Sequence, residues 1–222
     1  MFNADGCLNV TFSAVLTWHR ENHVVAQMRK LLILDLDNTL IYCRLARPNE
    51  SYPNVPSPDI QIVQVPVNDP FVNSPYAMYM RPGICAFLQA VAQWYDLAIY
   101  SAAVSLYGNV VVDRICDTCK VNISLRHWRD ECVPIAAADG LAFTKDILMV
   151  AREWNPMIHD SELLANVVLV DDKPCSLMMF PRNGVLVTRY EGQRDDKLLP
   201  KLQAFLQEVC MLDDVRRRVK GK

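Results

Sequence analysis

The stretch Leu31 to Leu40, Leu-Leu-Ile-Leu-Asp-Leu-Asp-Asn-Thr-Leu, constrains this chain more than any other. Four consecutive apolar residues have the pattern of a short buried strand, and the polarity then switches within one residue to Asp35 and Asp37, followed by Thr39. In an open parallel α/β sheet, ligands bind beyond the carboxyl ends of the strands, which places Asp35 where a substrate arrives. On the decapeptide alone a solvated turn competes with that reading, because Asp and Asn are ordinary turn residues.

The rest of the chain repeats the pattern. Leu97–Tyr100 is a second buried strand ending at Ser101, Val167–Val170 runs directly into Asp171 and Asp172, and Gly184–Val187 supplies a fourth strand. Between them, Ile84, Phe87, Leu88 and Val91 recur at i, i+3, i+4 and i+7, the signature of an amphipathic helix. Helical patterns also span Val104 to about Cys116 and the segment opened by Thr144-Lys145. A final helix, capped by Asp195-Asp196, carries Leu198, Leu202, Phe205, Leu206 and Val209 on its core face. Strands alternating with helices predict a doubly wound, mainly parallel α/β sheet with right-handed crossovers.

Two stretches interrupt this scheme. Residues 47–75 hold prolines at 48, 53, 56, 58, 66, 70 and 75, with one strand in the alternating run Ile60 to Val65. Residues 120 to 143 read as short strands and turns with a hairpin signal at Asp139-Gly140, a small inserted β-hairpin or sheet. The domain plan is an N-terminal extension over 1–30, one α/β domain over 31–215 with an insertion at about 120–143, and a basic tail over 216–222.

Composition narrows the class. The 222 residues are 51% hydrophobic and 22% charged, as in a globular domain. A net charge of −2 argues against a chain built to grip nucleic-acid phosphates. The eight cysteines are dispersed through apparent core segments, so a reducing compartment is the expectation. Cys116 and Cys119 form a Cys-x-x-Cys without a second pair at zinc-ligand spacing, which reads as a structural thiol pair. No apolar run reaches the roughly 18 residues of a membrane-spanning helix, and Leu8–Trp18 lacks the basic leader of a secretory signal. The expectation is a soluble intracellular protein of the nucleus or cytoplasm, without membrane partners.

If the strand ends share one edge, a single crevice receives Asp35, Asp37, Ser101, Lys145, Asp171 and Asp172. Two carboxylates about 4 Å apart repel by about 4 kcal/mol at an effective dielectric near 20, so such a cluster needs protons or a divalent cation. Oxygen ligands without a compact His/Cys constellation point to magnesium rather than zinc. With Lys145 and Ser101, the set makes a receptor for a phosphoryl group. One carboxylate of the Asp-x-Asp pair can then attack as nucleophile, giving an aspartyl-phosphate, while the other shuttles protons.

Asp35-Leu-Asp37-Asn-Thr39, Ser101 after a strand, Lys145 in Phe-Thr-Lys-Asp, and Val-Leu-Val-Asp171-Asp172 resemble, in order and spacing, the four motifs of the haloacid dehalogenase (HAD) superfamily. Met80-Arg-Pro-Gly83, Tyr100-Ser-Ala-Ala, Arg129-Asp-Glu-Cys132 and Asp195-Asp-Lys-Leu-Leu-Pro200 further resemble the FCP/SCP, or NLI-interacting-factor-like, phosphatases of the RNA polymerase II C-terminal domain and related proteins. The resemblance covers roughly residues 30–215 and implies a HAD-like Rossmannoid fold. It implies Asp35 as nucleophile, Asp37 as general acid/base, Thr39 as a motif-orienting residue near the phosphate, Ser101 and Lys145 as phosphate ligands and Arg129 as a phosphate contact. Magnesium would be held by Asp35, Asp172 and the Asp37 carbonyl, with Asp171 orienting Lys145 or acting as a further ligand. Leu45, Val104 and Tyr107 occupy the positions of the family's apolar peptide groove.

Three positions depart from the family pattern: Asn38 where Glu is frequent, Ser101 where Thr is frequent, and Asp172 where smaller members often carry Asn. The function so implied is a magnesium-dependent protein serine/threonine phosphatase acting on a phosphorylated protein or peptide. A small-metabolite phosphatase and a non-catalytic scaffold of the same fold are the alternatives.

Overall fold

The computed structural model describes residues 29–45, 60–64, 75–137 and 140–219. The N-terminal extension up to residue 28, most of the proline-rich excursion, the Asp139 half of the hairpin signal and the last three residues lie outside the described residues.

Strand β1 (Lys30–Leu34) is the middle of a five-stranded sheet. It pairs in parallel with β5 (Tyr95–Tyr100) on one side and β9 (Val167–Asp171) on the other. Beyond these lie β6 (Leu125–His127), parallel to β5, and β10 (Gly184–Leu186), parallel to β9. Successive strands thus step outward on one side of β1 and then return to its other side. The topological switch that opens a crevice lies at β1, beyond its carboxyl end.

The fully buried β1 run divides its side chains between two layers, as period-two alternation requires. Leu32 and Leu34 pack with Phe87 and Leu88 of α1 (Ile84–Val91), Val111 and Val112 of α2 (Ser105–Cys119), and Leu202 and Leu206 of α5 (Leu198–Cys210). Leu31 and Ile33 face the opposite layer, with Ile147 and Ala151 of α3 (Ile147–Trp154) and Leu163 of α4 (Asp160–Ala165). Each such aliphatic side chain contributes about 1.5–3 kcal/mol by leaving water. The mainly parallel doubly wound sheet expected from the strand–helix alternation is the observed architecture.

Two smaller sheets stand beside it. β2 (Ile41–Leu45), β3 (Ile60–Gln64) and β4 (Pro75–Met80) form an antiparallel sheet in the order β2-β4-β3. Only β3 was legible beforehand; β2 and β4 pair Ile41 with Met80 across a long excursion, and no local pattern reveals such a pairing. The β7 (Val133–Ala137) and β8 (Gly140–Thr144) hairpin is the second insertion. It begins later than the expected boundary near residue 120, because Leu125–His127 belongs to the central sheet.

Other details also differ from expectation. Cys119 is bonded not to its helical neighbour Cys116 but to Cys85, with Cα atoms 4.5 Å apart, and this disulfide staples α1 to α2. Five further cysteines among the described residues are free thiols. The local spacing pointed to the wrong partner because α1 and α2 meet only in the tertiary structure. Asp196 accepts a hydrogen bond from the Leu198 amide, but its carboxylate is chiefly held by Arg81. The expected tail is packed as far as Val219, with Val215 and Val219 in the core and Arg216 paired with Asp214.

Candidate active site

Asp35 is the first residue beyond the β1 ladder, and its amide donates to the Val170 carbonyl at 2.9 Å, locking the end of β1 to β9. The chain then folds back sharply. The Leu40 amide donates to the Leu36 carbonyl at 2.9 Å, and Asn38 sits at φ 67, a left-handed conformation that Asn tolerates better than most residues. Asn38 Nδ2 anchors the turn on the Tyr190 carbonyl at 2.9 Å. Thr39 lies on this turn, and its Oγ1 donates to Asp35 Oδ2 at 2.9 Å.

Lys145, two residues ahead of α3, is 2% exposed. Its Nζ donates to Asp35 Oδ1 at 2.7 Å and to Asp171 Oδ2 at 2.5 Å. The Asp171 Oδ1 atom accepts from the Lys173 amide at 2.7 Å. The helix dipole is not what fixes Lys145: Asp146 caps α3 through the Leu148 and Met149 amides, and the lysine reaches into the carboxylates instead.

Electrostatics follow from this burial. Desolvation pushes Asp35 up to about 7, with Asp171 adding to the rise and Lys145 and Thr39 opposing it. Burial by itself would lower Lys145, but Asp35 and Asp171 outweigh it and hold the ammonium above its ordinary value. Asp37 is also raised, chiefly by burial. Its Oδ1 accepts a 2.5 Å hydrogen bond from the Tyr107 hydroxyl.

Carboxylate oxygens of Asp35, Asp171 and Asp172 all lie within 4.8 Å of one another. Fully ionised, these three carboxylates would outnumber the cations beside them, Lys145 and Arg189. Asp172 Oδ1 is buried and has no hydrogen-bond partner among the described residues, an unusual state for a carboxylate oxygen. Its Oδ2 lies 3.8 Å from Arg189 Nη1. An all-oxygen donor set with excess negative charge and an oxygen such as Asp172 Oδ1 fits a hard divalent cation.

Asp35, Asp37 and Lys145 open onto a cleft of about 770 Å³ whose lining also takes in Ser101, Val104, Tyr107 and Arg129, while Asp171 and Asp172 lie behind that lining. Ser101 follows β5, and its Oγ accepts from the Ala103 amide at 3.1 Å. Arg129 donates from Nε to the Ala102 carbonyl at 2.7 Å, which seats its guanidinium at the cleft wall. Leu45 is not part of this lining. It is 53% exposed and four residues along β2 from Ile41, roughly 13 Å away. Cys43, two residues earlier on the same strand face, lines the cleft in its place.

Sequence reasoning missed Lys173, Tyr76 and the hairpin residues Leu141 and Phe143, which also line the cleft, and Arg189 beside Asp172. Lys173 carried a readable signal, a cation directly after two carboxylates at a strand end. Arg189 and Tyr76 arrive from distant segments and carried none.

An aspartate at the end of the central strand, a second aspartate two residues on, and a lysine bonded to the first and to Asp171 at the end of the adjacent strand are the arrangement that the sequence motifs implied. Residues 30–216 match the family model described as NLI interacting factor-like phosphatase, and the chain belongs to that family. Nuclear envelope morphology protein 1 of Saccharomyces cerevisiae is 30% identical over 86% of this chain and 41% of its own length. CTD nuclear envelope phosphatase 1B of Danio rerio is 30% identical over 85% of this chain and 70% of its own length. The fold matches that of the fission yeast RNA polymerase II CTD phosphatase Fcp1, solved with beryllium fluoride. That match has a TM-score of 0.55 at 19% identity and covers 92% of this chain and 57% of the other. This chain therefore spans under half of the yeast relative and just over half of the solved Fcp1 chain.

Proposed function

We propose that the protein hydrolyses phosphoserine or phosphothreonine in a protein or peptide through an aspartyl-phosphate on Asp35. The observation that carries this reading is the buried Lys145 bridge between Asp35 and Asp171, facing a cleft that Asp37 shares. Lys145 and Thr39 aim the Asp35 carboxylate. Asp35 attacks phosphorus, the bond from phosphorus to the seryl oxygen breaks, and that oxygen takes its proton from Asp37. Burial favours the protonated form of Asp37 that this step needs. In the second half, water attacks phosphorus, its proton passes to Asp37, and the bond to Asp35 breaks to release phosphate. Ser101 Oγ, Lys145 and Arg129, which line the cleft, would hold phosphoryl oxygens.

Asp35 and Asp172 are the residues that would hold Mg2+, with Asp171 and the Asp37 carbonyl as further ligands. When bound, the ion neutralises charge on the phosphoryl group. The names of the relatives support a phosphoprotein substrate, with the polymerase C-terminal domain one instance, and a location at or near the nucleus. The cleft's apolar lining, which includes Val104, Tyr107, Leu141 and Phe143, suits a peptide better than a small polar metabolite.

The test is a comparison of kcat/KM on phosphopeptide and metabolite panels with and without magnesium. Wild type is expected to prefer phosphopeptides, to lose activity with a chelator and to regain it with Mg2+. Asp35→Asn is expected to lose activity by about 10⁴-fold or more. A preference for metabolites overturns the substrate class, and activity surviving in Asp35→Asn overturns the covalent route. A wild type inactive in every condition favours a scaffold.

A further inference from the structure

Asp37 lies on a turn, and a turn alone holds a side chain poorly; a proton donor must nevertheless meet the leaving oxygen in a narrow geometry. The group that restrains it comes from a different element. Tyr107 is in the first turn of α2, and its hydroxyl donates to Asp37 Oδ1 at 2.5 Å. α2 is among the most firmly seated elements of the molecule. Val111, Val112 and Ile115 are buried, Gly108 lets the Trp128 indole pack against the helix backbone, and Cys119 is bonded to Cys85 of α1. The Tyr107 ring is itself held edge-on against Tyr76 at 5.4 Å, with the Cys43 thiol beside its hydroxyl.

We propose that Tyr107 is the positioning residue for Asp37, holding Oδ1 so that Oδ2 is the oxygen that gives the proton to the leaving group and takes it back from water. The inference rests on reading Asp37 as the general acid. Two features distinguish it from simple packing. The contact joins a hydroxyl to a carboxylate that faces the reaction cleft, and Tyr107 itself lines that cleft.

Leaving-group dependence separates positioning from packing. A seryl alkoxide is a poor leaving group and needs a proton as the P–O bond breaks, whereas p-nitrophenolate leaves with little help. Comparing kcat/KM on a phosphoseryl peptide and on p-nitrophenyl phosphate reads the step up to leaving-group departure. Asp37→Asn is expected to lose about 10²-fold more on the peptide than on the aryl ester. Tyr107→Phe, which keeps the ring, is expected to lose about tenfold more on the peptide, in kcat rather than KM. In an Asp37→Asn background, Tyr107→Phe is expected to cause no further leaving-group-dependent loss.

If Asp37→Asn shows the dependence and Tyr107→Phe lowers both substrates equally or neither, the positioning role is wrong while the general acid stands. If Asp37→Asn shows no dependence, the general-acid reading fails and takes this inference with it. Thermal melts of each variant, and the double variant's additivity, expose a loss that is only structural: such a loss multiplies in the double variant, and an equal multiplication on both substrates overturns the proposal.

Discussion

Lys145 gives up nearly all of its hydration to sit between Asp35 and Asp171, and only their two carboxylates make that placement tolerable. Removing one partner of a buried ion pair leaves the other charge stranded at a cost of about 3–5 kcal/mol. Lys145→Met is therefore expected to destabilise the protein by an amount in that range in urea melts and, on the proposed reading, to remove a phosphate ligand. Lys145→Arg is expected to rescue neither property, because a guanidinium is bulkier than the space an ammonium fills and cannot present a single point donor to both carboxylates. Asp172 follows a different logic. Its Oδ1 has no partner to lose among the described residues, so Asp172→Asn is expected to leave the melting temperature nearly unchanged or raised and, on the proposed reading, to weaken Mg2+ binding by about tenfold or more in titration calorimetry.

At the level of elements, strands end where the chemistry begins and helices decide how firmly each group is held. α2 carries Tyr107, and its fit against the β6 exit depends on Gly108. A Cβ at that position would overlap the Trp128 indole, so Gly108→Ala must displace a side chain that adjoins Arg129. The expected cost is about 1–3 kcal/mol of stability, measured by thermal unfolding, with a rise in KM as Arg129 shifts at the cleft wall. Helix positions were readable because their apolar spacing is a local property. Ile84, Phe87, Leu88 and Val91 are the buried face of α1, as that spacing implies. β2 and β4 were not readable as a pair: β2 sets Arg44 among its apolar residues, and the apolar run Tyr76–Met80 of β4 carries no sign of the strand it joins across a long excursion. The cysteines make the same point: the short Cys116–Cys119 spacing drew attention to a local pair, and the bond joins α2 to α1 instead.

Across the whole molecule, Arg81 ties the catalytic turn to the chain's later segments. Fully buried, it donates from Nη1 to the Thr39 carbonyl at 2.8 Å, from Nη2 to the Thr188 carbonyl at 2.9 Å, and through both Nε and Nη2 to Asp196 at 2.9 and 2.8 Å. Hydrogen bonding to Arg81 holds the Asp196 carboxyl below its ordinary value. A carboxylate depressed in the folded state contributes stability that is present above the unfolded value, about 3.9, and is lost as pH falls through the lower folded one. Asp196→Asn is thus expected to cost about 3 kcal/mol near neutral pH, with the gap to wild type in urea melts closing below about pH 4. A gap that stays constant down to pH 2 would refute the linkage.

The four apolar residues before Asp35 determined a great deal unaided. A short uninterrupted apolar run that ends abruptly in carboxylates suits a strand covered on both faces, such a strand belongs in the middle of a parallel sheet, and a polar residue at its carboxyl end faces the crevice. Asp35, Ser101, Lys145, Asp171 and Asp172 were legible for that reason, each lying at a strand end or a helix start. Tertiary structure alone decided which of them touch. Whether Lys145 bridges Asp35 and Asp171, whether Tyr107 offers the cleft a ring or offers Asp37 a hydroxyl, and whether Leu45 reaches the cleft at all depend on distances of a few ångströms between segments far apart in the chain. Periodicity records which face a residue turns toward the core. It carries no information on what waits there, because that is set by how sheets, helices and insertions pack around β1.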